Sequence, residues 1–256
     1  MSTPPPDDSP LAYKNEKFID SDEARPLRIL AEYLSPLEAF HRERIHDTIV
    51  FFGSARIVSG SPMGRYYDEA RELARLVTLW SKSLAPGPRR YIVCSGGGPG
   101  IMEAANRGAS DAAGRTIGLN IGLPFEQKPN QWITRGLSFE FHYFFMRKLW
   151  FAHLARALVV FPGGFGTLDE MSELLTLTQT GKLDRPIPIL LYGSAFWKEV
   201  INFDALVKHG MIGADDLKLF RFVDDTASAL KMLQESLSDD KPAETPAIAT
   251  SRKPEA

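Results

Sequence analysis

The sequence predicts an α/β protein built on a Rossmann-like, doubly wound, mostly parallel sheet of about six to seven strands, with helices on both faces. Two observations carry this prediction. Short runs rich in Val, Ile, Leu and Phe alternate with amphipathic helical patterns along most of the chain, as expected for strands buried between two layers of helices. Three of these runs end in glycine or small polar residues, which is typical of the ligand-binding edge of such a sheet.

Six apolar runs predict the strands, and helical patterns separate most of them. In chain order the runs read TIVFFGS, RYIVCSGG, RTIGLNIG, RALVVFPGG, IPILLYG and LFRFVD. The helical patterns include GRYYDEARELARLVTLWSKSL, GIMEAANRGASDAAG and SAFWKEVINFDALVKHG. A further helix is predicted over about residues 141–155, where an apolar and aromatic segment is interrupted by Arg147 and Lys148.

The two ends of the chain differ in composition from its middle. Residues 1–22 and 238–256 predict disordered tails, because they are rich in Pro, Ser and charged residues. Residues 23–237 predict a single domain. That domain includes an N-terminal helical extension over about residues 23–46, which we expect to break near Pro36 and to pack on the core or on a second subunit.

Composition excludes several classes of protein. The net charge of −2 gives no basic surplus for nucleic acid or an anionic membrane, and the single cysteine, Cys94, excludes a disulfide framework. No apolar run approaches the length of a membrane span, and the first residues lack the features of a signal peptide. Histidines and cysteines do not cluster, so we expect no metal site. We therefore expect a cytoplasmic protein without a cofactor.

The three glycine-containing strand ends form the candidate ligand site. Glycine lets backbone N–H groups approach an anion closely, and the dipole of the following helix favours negative charge. The alternative, tight strand–helix packing, is as plausible for one loop but less so for three. The dinucleotide fingerprint fits badly and the Walker pattern is absent, so we expect a mononucleotide or a sugar phosphate. The candidate ligand-binding residues of these loops are Gly53, Ser54, Gly96, Gly97, Gly98, Gly163, Gly164, Phe165, Gly166 and Thr167.

Two charged residues near the third loop allow two interpretations each. Thr167 and Glu170 have the spacing of a capping box, yet a carboxylate at this position is also suited to stabilising a cation-like sugar in a glycosidic reaction. Arg147 either pairs with a carboxylate such as Glu170 or grips the phosphate or sugar of a ligand. The sequence leaves both choices open.

Several motifs together resemble the LONELY GUY (LOG) family of cytokinin-activating phosphoribohydrolases, which are often labelled lysine decarboxylases. The segment MRK, followed by PGGFGTLDE, is similar to the paired signatures of this family, and GSAR, SGGGPGIMEAANRGA and TLTQTGKLDRPIPILLYGSAFW extend the similarity over about residues 46–225. The resemblance implies hydrolysis of a nucleoside 5′-monophosphate to a free base and ribose 5-phosphate. Two departures, MEAAN in the second loop and the longer N-terminal extension, indicate a branch distinct from the plant-type enzymes.

The resemblance also implies roles for individual residues. Arg147 and Glu170 would be the catalytic pair, with Lys148 beside them, Thr176 as a further substrate contact and Glu126 as a loosely matched acidic contact. Lysine decarboxylation is not expected, because pyridoxal phosphate needs a Schiff-base lysine and a partner for its ring nitrogen. The leading hypothesis is hydrolysis of AMP or an N6-modified AMP by a homodimer or higher homo-oligomer. The alternative is a non-catalytic carrier of a nucleotide or of molybdenum cofactor on the same fold.

Overall fold

The computed structural model describes residues 10–84, 89–123, 128–183 and 187–238. Its centre is a seven-stranded sheet in which every neighbouring pair is parallel and the strand order is β4-β3-β2-β1-β5-β6-β7. This confirms the predicted fold class. The strands are β1 (Thr48–Phe52), β2 (Ile92–Ser95), β3 (Thr116–Ile121), β4 (Ser138–Phe141), β5 (Ala155–Val160), β6 (Ile189–Tyr192) and β7 (Phe220–Val223).

Helices lie between most of the strands. Those that cover the sheet are α2 (Arg25–Arg42), α3 (Arg65–Ser83), α4 (Ile101–Asp111), α5 (Phe144–Leu154), α6 (Phe165–Gln179), α7 (Ser194–Val200) and α9 (Thr226–Ser236). Shorter ones are α1 (Glu16–Ile19), α8 (Phe203–Lys208) and two 3₁₀ segments, Ala12–Lys14 and Ala214–Leu219. The described residues include no helix that is long and apolar enough to cross a membrane.

The sheet is buried on both faces, and β1 lies at its centre. Successive side chains of β1 alternate between the two cores: Phe51 packs with α3, α4 and α9, whereas Phe52 packs with α2, α5 and α6. All five residues of β1 are buried, which explains why the strand reads as a continuous apolar run. The carboxyl ends of β1, β2 and β5 therefore lie side by side at one edge of the core.

The structure contains one strand that the sequence analysis missed. Residues 138–141 form the edge strand β4, whereas the helix predicted from residue 141 begins at Phe144. Glu140 is exposed and Phe141 is buried, so β4 shows the alternation of a half-exposed edge strand rather than an apolar run. This alternating pattern is only four residues long and runs into the aromatic segment of α5, so the sequence alone did not separate the two.

The N-terminal extension is more continuous than predicted, and the break expected near Pro36 is wrong. The proline lies inside α2, which runs without interruption to Arg42. A proline removes one N–H, the donor that would bond to the carbonyl four residues earlier. In this helix that carbonyl belongs to Glu32, and it accepts a hydrogen bond of 3.0 Å from Nε1 of Trp150 instead.

Part of the predicted N-terminal tail lies within the described structure. Residues 10–22, expected to be disordered, contain the first 3₁₀ segment and α1. Arg28 ties this segment to α2, because its Nη1 donates to the carbonyls of Ile19 and Ser21 at 2.5 and 2.6 Å. Residues 1–9, and the predicted C-terminal tail beyond residue 238, lie outside the described residues.

Candidate functional site

A cavity of about 800 Å³ opens where the carboxyl ends of β1, β2 and β5 meet. Its walls come from the three glycine-containing loops, the end of β3 and the helices α5, α6 and α7. Of the residues singled out in the sequence, those that line it are Gly53, Ser54, Gly96, Arg147, Gly163, Gly164, Phe165, Gly166, Thr167 and Glu170. The fold therefore brings together residues that are up to 117 positions apart in sequence, from 53 to 170.

Backbone hydrogen bonds fix the three loops against one another. The N–H of Ser54 donates to the carbonyl of Pro162 at 3.0 Å, and the N–H of Ile101 donates to the carbonyl of Ser54 at 3.0 Å. Gly100 has a φ of +68°, and a Cβ at this position would overlap the Ser54 carbonyl. Glycine is thus required for the first and second loops to approach this closely.

The second loop places only one of its three predicted glycines on the cavity. Gly97 donates its N–H to Oγ of Ser95 at 3.1 Å. Nδ2 of Asn130 donates to the carbonyls of Gly97 and Gly98, at 3.0 and 3.1 Å. The N–H of Gly97 and the carbonyls of Gly97 and Gly98 are therefore bonded inside the protein, and of this triplet Gly96 lines the cavity.

The third loop leads directly into α6. The helix begins at Phe165, with Gly164 as its N-cap and without a side-chain cap. A Cβ at Gly163 would overlap Oγ1 of Thr167, so this glycine allows the loop to fold onto the first turn. The N–H groups of a first helical turn have no acceptor within the helix, and here they lie at the cavity wall. This arrangement suits a phosphate or another anion.

The capping box expected from Thr167 and Glu170 is not formed. Because α6 starts at Phe165, Thr167 is its third residue and Glu170 its sixth, too far into the helix to cap it. Oε1 of Glu170 instead accepts a hydrogen bond from Nη2 of Arg147 on α5. The interpretation of Glu170 as a helix-capping residue is therefore wrong. Its charge, paired with that of Arg147, is the property left to explain its position.

The Arg147–Glu170 pair is nearly buried in the cavity wall, with side-chain exposures of 11% and 12%. Burial raises the pKa of the Glu170 carboxyl to about 7, and the positive charge of Arg147 limits this rise. The guanidinium of Arg147 also lies over the rings of Phe144 and Phe151, 5.4 and 5.5 Å from their centroids. Its Nε is buried, and among the described residues none accepts a hydrogen bond from it.

Two other predicted residues, Lys148 and Thr176, do not line the cavity. Nζ of Lys148 contacts Asp169 at 2.8 Å and Glu173 at 3.1 Å, and Lys148 lines a small separate pocket together with Glu170 and Glu173. Thr176 is exposed and donates its hydroxyl to the carbonyl of Ser172 within α6, at 2.8 Å. Glu126 lies outside the described residues.

The sequence analysis missed an arginine and an apolar wall. Arg56, an exposed side chain of the first loop, lines the cavity two residues after Ser54. The apolar lining residues are Met102, Ile121, Leu123, Leu168, Phe196 and Val200. Phe196 and Val200 are four residues apart on α7, which follows the strand next to β5. This i, i+4 spacing after a neighbouring strand was a signal available in the sequence.

The residues that line the cavity limit the cofactor and metal chemistry it can support. Among the described lining residues there is no lysine, which pyridoxal phosphate would need for a Schiff base. Within the described ranges no cluster of three or more His, Cys, Asp or Glu side chains could hold a metal ion. The ionisable lining residues are Arg56, Arg147 and Glu170.

Fold and site together define a doubly wound α/β protein with a glycine-lined cavity suited to an anionic ligand. The chain belongs to the family whose model is described as "Possible lysine decarboxylase", the LOG family, which matches residues 102–233, more than half of its 256 residues. Lysine decarboxylation through pyridoxal phosphate would need a lysine in the site, and the described residues that line the cavity include none. Family membership here therefore identifies the fold and the motifs rather than decarboxylation.

Curated relatives of the chain include plant proteins. The Arabidopsis thaliana protein named cytokinin riboside 5′-monophosphate phosphoribohydrolase LOG4 is 26% identical, over 72% of this chain and 83% of the relative. The corresponding LOG5 protein of the same plant is 28% identical, over 82% and 85%. Among solved structures, the X-ray structure of the structural-genomics target TM1055 superimposes with a TM-score of 0.53 at 20% identity, covering 74% of this chain and 99% of that one. This last similarity establishes the fold alone.

Proposed function

We propose that the protein hydrolyses the N-glycosidic bond of a nucleoside 5′-monophosphate, with AMP or an N6-modified AMP as the substrate. The observation that carries the proposal is the Arg147–Glu170 pair in the wall of a cavity that three glycine loops also line. Relatives with the phosphoribohydrolase name match at 26–28% identity, which supports the reaction class but not a particular base.

The substrate would lie across the cavity with its phosphate at the start of α6. The N–H groups of the first turn of α6 would donate to the phosphate oxygens, together with the Arg56 guanidinium. The ribose would then lie beside Arg147 and Glu170. The base would contact the apolar side, where Leu168, Phe196 and Val200 line the cavity.

Cleavage would break the bond between C1′ of the ribose and the base nitrogen. The base leaves with the bonding electrons and takes up a proton at nitrogen, while a water oxygen bonds to C1′ and gives up its proton. The products are the free base and ribose 5-phosphate. The ionised carboxylate of Glu170 would stabilise the cation-like sugar and orient the water, and Arg147 would hold the ribose phosphate in line.

The test is an assay of free base and ribose 5-phosphate with AMP, GMP, CMP and N6-isopentenyl-AMP as substrates. Glu170→Gln is the critical variant, since glutamine keeps the shape of the side chain and removes its charge. Glu173→Gln is the matched control, because Glu173 lies one turn further along α6 and contacts Lys148 rather than the cavity.

We expect the native protein and Glu173→Gln to release base, and a folded Glu170→Gln variant to release it at least 100-fold more slowly, in line with the loss of an electrostatic stabiliser. Binding of AMP by the native protein without any release of base would contradict the proposal. That result would instead favour a nucleotide carrier on the same fold.

We also propose that the protein acts as a homodimer or higher homo-oligomer. The apolar residues Phe144, Phe145 and Leu149 are 52%, 49% and 39% exposed on α5, which is unusual for side chains of this size on one helix. Light scattering coupled to size exclusion tests this directly. A monomer at micromolar concentration would refute it.

A further inference from the structure

The carboxylate of Glu32 on α2 is bonded to the start of α5, the helix that carries Arg147. Its two oxygens accept hydrogen bonds from the N–H groups of His142 at 2.7 Å and Tyr143 at 3.3 Å. Tyr143 is the N-cap of α5, and its own side chain makes no capping hydrogen bond. Glu32 therefore supplies from another helix the acceptor and the negative charge that a helix N-terminus favours.

The backbone carbonyl of the same residue is bonded to α5 about two turns further along the helix. Nε1 of Trp150 on α5 donates to it at 3.0 Å, and this carbonyl lacks its helical donor because Pro36 has no N–H. The Trp150 ring is buried and stacks on Tyr33 of α2, with ring centroids 5.4 Å apart. One residue of α2 thus contacts α5 on both sides of Arg147.

Arg147 lies between these two attachments. Its backbone N–H donates to the carbonyl of Tyr143 at 3.2 Å, and Trp150 follows three residues later, about one turn along the helix. Rotation or sliding of α5 would move the guanidinium relative to Glu170 on α6. A displacement of about 1 Å at a catalytic group can cost on the order of 100-fold in rate, so a fixed α5 matters for such a pair.

We propose that Glu32 is a positioning residue, which holds α5 in the rotation and height at which Arg147 meets Glu170. The effect of Glu32 on catalysis rests on the proposed function, whereas its effect on the contact between Arg147 and Glu170 does not. The N-terminal helix, which precedes the residues matched by the family model, thereby becomes part of the site. A helix that only covered the sheet would need apolar contacts such as those of Leu37 and Phe40, and not a carboxylate directed at α5.

The test compares Glu32→Ala with Glu38→Ala. Glu38 lies on the same helix, is exposed and pairs with Arg42 rather than with α5, so its removal changes the charge of α2 without touching the attachment. The first readout is the pKa of the Glu170 carboxyl, measured by ¹³C NMR on protein labelled at its glutamates. The Glu170 signal is assigned as the one that is missing from the spectrum of Glu170→Gln. The second readout is the kcat and KM for AMP.

In Glu32→Ala we expect the pKa of Glu170 to rise above its native value, because Arg147 no longer holds its charge beside the carboxylate. We expect kcat/KM to fall about tenfold, because a displacement of Arg147 by less than about 1 Å should cost less than the roughly 100-fold expected for that distance. In Glu38→Ala both quantities should match the native protein. Glu32→Gln should lie between, since its amide oxygen can still accept from His142.

An unchanged Glu170 pKa in folded Glu32→Ala would overturn the proposal, whatever the activity. If the native protein proved not to hydrolyse AMP, the NMR measurement would still show whether Glu32 positions Arg147 beside Glu170. If Glu32→Ala failed to fold, Trp150→Phe would replace it, because phenylalanine keeps an aromatic ring and removes only the donor to the Glu32 carbonyl. An unchanged Glu170 pKa in Trp150→Phe would then overturn the proposal, and a rise would support it.

Discussion

Nη2 of Arg147 donates a hydrogen bond to Oε1 of Glu170, joining two helices on opposite sides of β5 in the chain. Removing both charges from water is costly, and their attraction offsets this cost only in part. Burial accordingly leaves the pKa of Glu170 at about 7 despite the arginine beside it. Such a carboxyl changes its charge near neutral pH, and this property gives the first two predictions.

The activity is expected to rise with pH on the acidic side of its profile. If the ionised form of Glu170 is the active one, kcat/KM for AMP should increase tenfold per pH unit below about 7 and level off above it. The measurement is kcat/KM from pH 5 to 9, where kcat/KM reports the free protein. Glu173→Gln should keep the same shape of profile, displaced slightly to lower pH, because the negative charge of Glu173 helps to raise the pKa of Glu170. A rate that is constant between pH 5 and 7 would exclude ionised Glu170 as the active form.

Stability should depend on pH through the same carboxyl. Below 4.5 Glu170 is protonated in both the folded and the unfolded state, whereas between 4.5 and about 7 the folded state still holds a proton that the unfolded state has lost. Stability arising from this group is therefore present at low pH and lost as pH rises through about 7. Relative to Glu170→Gln, the free energy of unfolding of the native protein should fall by up to about 3 kcal/mol over this range.

Urea titrations of both proteins at pH 4.5, 6 and 8 check this prediction. All other titrating groups are shared by the two proteins, so the difference between them isolates Glu170. A difference that grows in the opposite direction, with the native protein gaining stability relative to Glu170→Gln as pH rises, would show that Arg147 lowers the pKa more than burial raises it.

Arg56 should contribute to phosphate binding rather than to bond cleavage. Arg56→Ala removes an exposed cation from the cavity wall, and we expect KM for AMP to rise about tenfold, the lower end for a charge-assisted hydrogen bond, with kcat within threefold of native. Adenosine, which lacks the phosphate, should be bound equally by both proteins. Arg75→Ala is the control, because Arg75 pairs with Glu72 on the distant helix α3. An unchanged KM for AMP would remove Arg56 from the site.

The convergence of the three loops was predictable because it follows from a rule about parallel sheets rather than from local detail. The order of the strands places the ends of β1, β2 and β5 together, and continuous apolar runs identify such strands reliably. The capping-box prediction was wrong because a local pattern does not determine where a helix starts. The N-cap of α6 is Gly164, three residues before Thr167, and no sequence spacing distinguishes the two possible starts.

The outcome for Lys148 has a different physical reason. Arg147 and Lys148 are adjacent on α5, and adjacent residues of a helix point about 100° apart. Only one of them can face the cavity, while the other is directed at Asp169 and Glu173. The sequence gives both as basic residues in an apolar helix, so the choice between them depends on how α5 is rotated. Under the proposal above, the hydrogen bonds that Glu32 accepts from His142 and Trp150 fix that rotation, and they link residues 110 and 118 positions apart.

The second loop depends on a buried polar network centred on Asn106, which is fully buried. Its Oδ1 accepts from Oγ of Ser95 and from Nδ2 of Asn130, both at 2.8 Å. Its Nδ2 donates to Oγ1 of Thr116 at 2.6 Å and to the carbonyl of Ile117 at 3.1 Å. All four hydrogen-bonding positions of the amide are therefore used, and Asn130 passes the constraint on to the backbone of the loop.

Asn106→Asp keeps the shape of this side chain and removes both of its amide donors. The carboxylate would then face the Ile117 carbonyl without a proton between them, and we expect a loss of about 1–3 kcal/mol in the free energy of unfolding, the cost of leaving buried groups unpaired. Asn15→Asp is the control, because Asn15 caps α1 through its side-chain oxygen and aspartate caps equally well. If the network shapes the second loop, KM for AMP should also rise in folded Asn106→Asp. A loss of stability with an unchanged KM would show that the network supports the fold without controlling the site.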